Sequence, residues 1–252
     1  MKLSKKINIT QYKNNGFLII KNIFNNSEIK KFQNDIDFFL NKKLRKKSSK
    51  VHLTGKKINS IHNIKNLRLI NYLQKNRSIK KIVSNILGKG AKEFGAELFA
   101  KPAKQGRAVP VHQDNFYWCT RKGSGITIWI ALNNSSKKNG GIFYFKGSHK
   151  MGLLEHDISY VPGSSQKLKY LDSMNVFKKV YPSLRAGDCL VHSSLVVHGS
   201  KKNLSNYPRQ GLTLRYIAKN DPFDDFRKKY YNSSLKISLK GKKNARLRNN
   251  RI

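Results

Sequence analysis

His112 and Asp114 stand one residue apart, and a further potential ligand, His198, lies far downstream with Arg209 shortly after it. Two imidazoles and one carboxylate form a ligand set for a divalent transition metal. When all three sit on one face of the ion, three other positions stay open for reactants. Nitrogen and carboxylate donors suit iron(II) better than they suit a soft metal. Arg209 adds a planar fork of donors that grips a carboxylate through two parallel bonds. Together these residues specify metal-dependent oxidation with a dicarboxylic acid as the second reactant.

An H-x-D pair also arises by chance, so its meaning depends on the elements that carry it. The run from Val109 to Phe116 reads as extended chain. Residues i and i+2 of a strand face the same side, which points His112 and Asp114 together and Gln113 away. The stretch from Asp188 to His198 is rich in β-branched and apolar residues and reads as one strand. If it lies across a barrel from the first, His198 completes the set. His192 has the same strand parity as His198 and is expected to play a structural or supporting part. His149 and His156 are not assigned as ligands. In Ile126–Leu132, alternation places Thr127, Trp129 and Ala131 on one face, expected to line the interior, and the Ile/Leu set on the other.

Around these runs the chain predicts a first strand within Gly16–Phe24 and a helix capped by Asn26 or Ser27, with Ile29, Phe32, Ile36 and Leu40 at helical spacing. A second helix is expected to begin at Ser78 and stop at Gly88. Asn41–Lys57 reads as a charged connection. From Glu93 to Ala218, short strands alternate with turn clusters such as Lys122-Gly123-Ser124-Gly125. The expected fold class is mostly β with flanking helices: a double-sheet jelly roll, the double-stranded β-helix of cupin-like proteins, whose open mouth admits ligands. Gly152–Lys179 is polar, shows few strand signals, and is expected to be an insertion over that mouth. Residues 1–220 form the predicted domain. Residues 221–252 are read as a basic tail, partly disordered, with a short helix or strand at Leu235–Leu239 and too few apolar residues to anchor a core.

The 252 residues suffice for one substantial core. The two cysteines, Cys119 and Cys189, suggest a reducing compartment without a disulfide framework, and the expected location is cytoplasmic. No apolar run approaches the roughly 20 residues that span a bilayer. The net charge of +39 would attract polyanions. The lysines are dispersed, however, and the chain is rich in Lys, Asn and Ile throughout, a bias that needs no binding face. Basic residues concentrate in Lys42–Lys57 and in the acid-free stretch Arg227–Ile252. Two alternatives use the charge: a polyanion- or nucleic-acid-binding protein on a jelly-roll shell, and an oxygenase acting on nucleic acid. A small-molecule substrate is the favoured partner, and the charge would suit an anionic one.

Several runs, in order and at matching spacing, resemble the phytanoyl-CoA dioxygenase family of iron(II)/2-oxoglutarate oxygenases. They are YKNNGFLIIKNIF, SEIKKFQNDI, LFAKP, HQDNFYW, ITIWIALNNSSKKNGGIFYFKGSHK, RAGDCLVHSSLVVHGSKKNLSNYPR and LTLRYI, spanning about Ile9 to Ala218. The resemblance implies His112, Asp114 and His198 as ligands of iron(II). It implies Arg209 as partner of the distal carboxylate of 2-oxoglutarate, and Ser200, Trp129 and Lys101 as further co-substrate contacts. Thr127, on the face of Trp129, is grouped with them. Dioxygen is the third reactant. Because Asp114 is intact, the resemblance implies hydroxylation rather than halogenation. Lys146 stands where the family usually has Pro before Gly-Ser-His, and Asn133-Asn134 replace an acidic pair.

Overall fold

The computed structural model describes residues 7–44 and 51–249. Its strands are β1 (Phe17–Ile20), β2 (Val51–Thr54), β3 (Lys57–Ile61), β4 (Lys92–Lys101), β5 (Val109–His112), β6 (Gly125–Ala131), β7 (Ile142–Phe145), β8 (His156–Val161), β9 (Ser164–Leu168), β10 (Lys179–Val180), β11 (Cys189–Ser193), β12 (His198–Ser200) and β13 (Arg209–Ile217). The helices are α1 (Ile9–Asn15), α2 (Asn26–Leu44), α3 (Arg68–Lys75), α4 (Arg77–Leu87), α5 (Asp114–Trp118) and α6 (Asp225–Asn249). A major sheet runs β1-β11-β6-β13-β4-β3-β2 and a minor sheet β10-β7-β12-β5, with β8-β9 as a separate hairpin. Both larger sheets are antiparallel at every pairing. This is the double-stranded β-helix that the strand spacing predicts.

Alternation decides which side chains meet the helices and which meet the other sheet. Ile126, Ile128, Ile130 and Leu132 share one large core with Leu212 and Leu214 of β13, Ala96 and Leu98 of β4, Ile29, Phe32 and Ile36 of α2, and Ile79 and Ile82 of α4. Each such aliphatic side chain contributes about 1.5–3 kcal/mol by leaving water. The intervening residues Trp129 and Ala131 pack instead between the sheets, with Phe17, Tyr144 and Leu190. The barrel interior is thus left to the polar and aromatic residues of the same strands.

The helix caps lie one or two residues earlier than expected. Asn25 rather than Asn26 or Ser27 caps α2: its Oδ1 accepts from the Glu28 N–H at 2.9 Å while the Glu28 carboxylate accepts from the Asn25 N–H at 2.9 Å. Asn76, not Ser78, caps α4 by accepting from the N–H groups of Ser78 and Ile79; Gly88 ends it as expected. The stretch 188–198 is two strands in different sheets, because the chain turns at Ser194-Leu195 and crosses from the major to the minor sheet. Val51–Ile61 holds the β2–β3 hairpin. Part of the basic Lys42–Lys57 run, residues 45–50, lies outside the described residues. Gly152–Lys179 contains the β8–β9 hairpin, which polar residues disguise in the sequence.

The C-terminal segment differs most from expectation. Residues 225–249 form one helix rather than a partly disordered tail. It is held by polar contacts: buried Ser234 accepts from the Gln166 side chain at 2.8 Å, buried Ser238 donates to the Ser159 carbonyl at 2.7 Å, and Arg227 donates to the Thr120 carbonyl at 2.6 Å. Apolar periodicity could not reveal a helix that docks through serines. Each of these bonds contributes about 0.5–1.5 kcal/mol, and losing them strands buried partners. Deleting residues 225–252 is therefore expected to cost about 3 kcal/mol and lower Tm by about 6–12 °C. A thermal melt of the truncated chain that matches the full chain would show that α6 is dispensable.

Candidate metal and co-substrate site

His112 ends β5 and His198 opens β12, and the two are direct cross-strand partners, with ring centroids 4.4 Å apart. Each ring is oriented from behind. His112 Nδ1 donates to the Pro110 carbonyl at 2.8 Å and His198 Nδ1 to the Val196 carbonyl at 3.0 Å. A carbonyl only accepts, so both protons sit on Nδ1 and both Nε2 lone pairs face inward. Asp114 is not on the strand. The strand stops at His112 and Asp114 is the first residue of α5. Gln113 between them remains extended, at φ −117° and ψ 134°, so the same-side geometry of residues i and i+2 survives. Gln113 is buried and pinned: its amide donates to the Gly152 and Leu195 carbonyls, and its oxygen accepts from the Leu154 N–H. His156 Nε2 accepts the backbone N–H of Gln113 at 3.0 Å.

Asp114 Oδ1 lies 3.6 Å from His112 Nε2 and 3.8 Å from His198 Nε2. One atom from each residue falls within 4.8 Å of the others, so the three can share an ion. The other oxygen, Oδ2, is held in place: Thr127 Oγ1 donates to it at 2.6 Å and His192 Nε2 at 3.2 Å. The Tyr144 hydroxyl donates to His192 Nδ1 at 2.8 Å, and Tyr144 stacks on Phe17 at 4.3 Å. Burial alone would raise the Asp114 carboxyl, but the surrounding His112, His192 and His198 side chains, His192 through its Nε2–H, hold it well below its usual range. Burial, reinforced by His112, lowers His198 to about 3. An ionised carboxylate and a neutral imidazole are the forms that bind a metal. Thr127, expected among co-substrate contacts, is engaged with Asp114.

At the other end of the interior, Arg209 and Lys101 are directly opposed on β13 and β4. Arg209 is buried; Nη2 donates to the Gly140 carbonyl at 2.6 Å, Nε has no partner, and the guanidinium lies 5.3 Å over the Trp129 ring. Lys101 is buried too and donates to Ser200 Oγ at 2.7 Å and to the Lys201 carbonyl. No carboxylate among the described residues pairs with either cation. Burial, then the neighbouring Arg209, pulls the Lys101 ammonium well below its usual range, and burial lowers Arg209 to about 10. Two opposed cations in a dry interior are costly unless an anion joins them. Gly211 makes the arrangement possible: a Cβ there would meet the Trp129 ring at 1.8 Å. That small residue, beside Arg209 in a strand, is a signal the sequence reading passed over.

A family model described as phytanoyl-CoA dioxygenase (PhyH) matches residues 12–211. The chain belongs to the phytanoyl-CoA dioxygenase family. The peroxisomal phytanoyl-CoA dioxygenase of Bos taurus is 24% identical over 233 residues, which cover 85% of this chain and 68% of the relative. Phytanoyl-CoA dioxygenase 1 of Oryza sativa subsp. japonica is 32% identical over 127 residues, covering 48% and 42%. The chain therefore spans about two thirds of the length of the bovine relative and less of the rice one. Among solved structures, EctD from S. alaskensis with 2-oxoglutarate and 5-hydroxyectoine superposes with a TM-score of 0.71 at 19% identity, covering 85% of this chain and 76% of that one. EvdO2 from Micromonospora carbonacea var. aurantiaca, complexed with 2-oxoglutarate, gives 0.68 at 18%, covering 89% and 96%. The fold of these two structures is thus the one adopted here.

Where this member departs from the family pattern, the replacements have local work. Asn133 Oδ1 accepts from the Gln210 N–H at 3.1 Å and Asn134 Oδ1 from the Ala186 N–H at 3.0 Å, so the amides tie loops that an acidic pair could tie as well. Both cysteines are free and buried. No described helix is long and apolar enough to cross a membrane. Groups that orient ligands commonly matter 10–100-fold for metal affinity. Thr127→Val is expected to weaken iron(II) binding about tenfold with the fold kept, since the grip on Asp114 Oδ2 is lost; equal affinity by anaerobic titration would deny it that part.

Proposed function

We propose that this chain is an iron(II)- and 2-oxoglutarate-dependent dioxygenase that hydroxylates a small molecule. The observation that carries the reading is the pair of buried, acid-free cations, Arg209 and Lys101, inside the same barrel as a converged His112-Asp114-His198 set. A metal alone would explain the triad, and a dicarboxylate explains both ends. In this reading His112, Asp114 and His198 hold iron(II), while Arg209, Lys101 and Ser200 take the far carboxylate of 2-oxoglutarate against the face of Trp129. The donor set fits the ion: two inward Nε2 lone pairs and one oriented carboxylate oxygen. When bound, iron(II), 2-oxoglutarate and dioxygen supply an oxidant that hydroxylates a C–H bond, with succinate and carbon dioxide released.

The protein's own share is positional. The Pro110 and Val196 carbonyls fix the imidazole tautomers, and Thr127 and His192 fix the carboxylate. The walls of Trp129, Tyr144 and Phe17 keep water from the co-substrate end, which strengthens each charged contact there. The relatives support the same reading: their names are those of phytanoyl-CoA dioxygenases, and two neighbours were solved with 2-oxoglutarate. The test is release of succinate from 2-oxoglutarate under air with added iron(II), against a metabolite library. An iron-loaded, folded protein with no succinate release under any substrate would refute the proposal. The net charge of +39 leaves an anionic substrate or a nucleic acid as alternatives. The lysines are dispersed along the sequence rather than confined to one element, which does not favour nucleic acid.

A further inference from the structure

Arg215 is built into the barrel differently from Arg209. It stands six positions further along β13, on the same face. Its cross-strand partner on β6 is Thr127, whose hydroxyl holds Asp114. Its guanidinium Nη1 lies 3.3 Å from Glu97 Oε1. The same oxygen is 2.6 Å from His62 Nδ1. The aromatic rings of Phe94 and Trp118 lie against the guanidinium at 5.7 and 5.9 Å. Gly95 clears the space it occupies, since a Cβ there would meet Nη2 at 2.6 Å. Arg215 Nε and His62 Nε2 have no hydrogen-bond partner. The side chains of Arg215, Glu97 and His62 keep 19%, 13% and 26% of their accessible surface, so solvent reaches the group.

These residues sit at the metal end of the interior, away from Arg209 and Lys101. Their charge balance is also different. Arg209 and Lys101 have no acid and call for an anion. Arg215 and Glu97 already neutralise one another and offer a fixed donor beside a fixed acceptor. A lone carboxylate would gain Arg215 and be repelled by Glu97; a lone ammonium would meet the reverse. An alkyl chain would strip water from both ions and return no hydrogen bond, which is costly for charged groups. A group that carries both signs satisfies both partners.

We propose that Glu97 and Arg215 form the substrate subsite and that the substrate presents a zwitterionic head, an amine and a carboxylate on one compact molecule, to that pair. The proposal rests on the oxygenase reading above, because it takes the position of Asp114 as the place of reaction. His62 supports Glu97 from the side. Burial alone would raise the Glu97 carboxyl, but Arg215 and His62 outweigh it and hold it at about 2, so the acceptor is ionised at neutral pH.

The test uses the whole chain loaded with manganese(II) and N-oxalylglycine, an unreactive mimic of 2-oxoglutarate that fills the Arg209 end. Cyclic and acyclic amino acids are titrated in alongside their methyl esters, their N-acetyl derivatives and short acyl thioesters, and binding is read by thermal shift and by tryptophan fluorescence, to which Trp118 beside Arg215 contributes. The expected result is that at least one zwitterion binds about tenfold or more tightly than both of its singly charged counterparts. Glu97→Gln should then erase the advantage over the N-acetyl compound, and Arg215→Met the advantage over the ester. Should Arg215→Met fail to fold, Glu97→Gln alone decides. Thioesters binding best, no zwitterion preferred, or a preference unchanged in Glu97→Gln would each overturn the proposal. Failure to load manganese(II) and N-oxalylglycine would instead strike at the metal and co-substrate reading, so the two failures are told apart.

Discussion

Asp114→Ala is expected to abolish 2-oxoglutarate turnover and to weaken iron(II) binding by at least about a hundredfold, with the fold kept. Residues that merely orient a ligand matter 10–100-fold, so removing the one anionic ligand must reach the upper end of that range or pass it. The fold survives because the neighbours stay satisfied or become free without strain. His192 keeps the Tyr144 hydroxyl, and the two imidazoles keep their backbone carbonyls. Thr127 Oγ1 and His192 Nε2 lose their acceptor, at about 1–3 kcal/mol each, but a buried charge leaves with it. Asp114→Asn sharpens the result. It preserves shape and one acceptor oxygen, yet lacks the charge that the ion requires, so it should fall with the alanine variant. Anaerobic iron(II) titration with circular dichroism on the same samples is the measurement. A folded Asp114→Ala protein that binds one iron(II) as tightly as the parent would remove Asp114 from the ligand set.

Much of this site was legible because its residues are separated along the chain by small, rule-bound intervals. His112 and Asp114 share a face whether the second is on a strand or opens a helix, since Gln113 stays extended in either case. Thr127 and Trp129 obey period-two alternation in a strand buried on both sides. The expected single strand over 188–198 still brought His198 inward, although the chain changes sheets between His192 and His198; both rings point into the barrel, 4.7 Å apart. What stayed hidden was bonding without an apolar signature. The docking of α6 runs through Ser234 and Ser238, and the β8–β9 hairpin is written in polar residues. Period-two alternation places Arg209 and Arg215 on one face. Their partners separate them, since Glu97 pairs with Arg215 and Lys101 opposes Arg209.

That separation gives the second large effect. Arg209→Ala should raise the 2-oxoglutarate requirement at least about tenfold while leaving iron(II) affinity nearly unchanged, because charge-assisted hydrogen bonds contribute on the order of 1.5–3 kcal/mol. The metal end of 2-oxoglutarate is held by the ion; the far carboxylate depends on this chain. Arg209→Lys should recover little, since a point charge cannot reproduce the planar fork and already has a neighbour of its kind in Lys101. Lys101→Met should weaken the co-substrate as well, but less: its ammonium has Ser200 and the Lys201 carbonyl to satisfy it, whereas Arg209 Nε has nothing. Arg215→Ala should leave 2-oxoglutarate affinity within about threefold, because its guanidinium is engaged with Glu97 and stands at the other end of the interior. Anaerobic 2-oxoglutarate titration of the iron-loaded variants measures all four. If Arg215→Ala lost co-substrate affinity and Arg209→Ala kept it, the two ends of the barrel would have to exchange roles. The unpaired cations at Arg209 and Lys101 would then be left without any ligand to justify their burial.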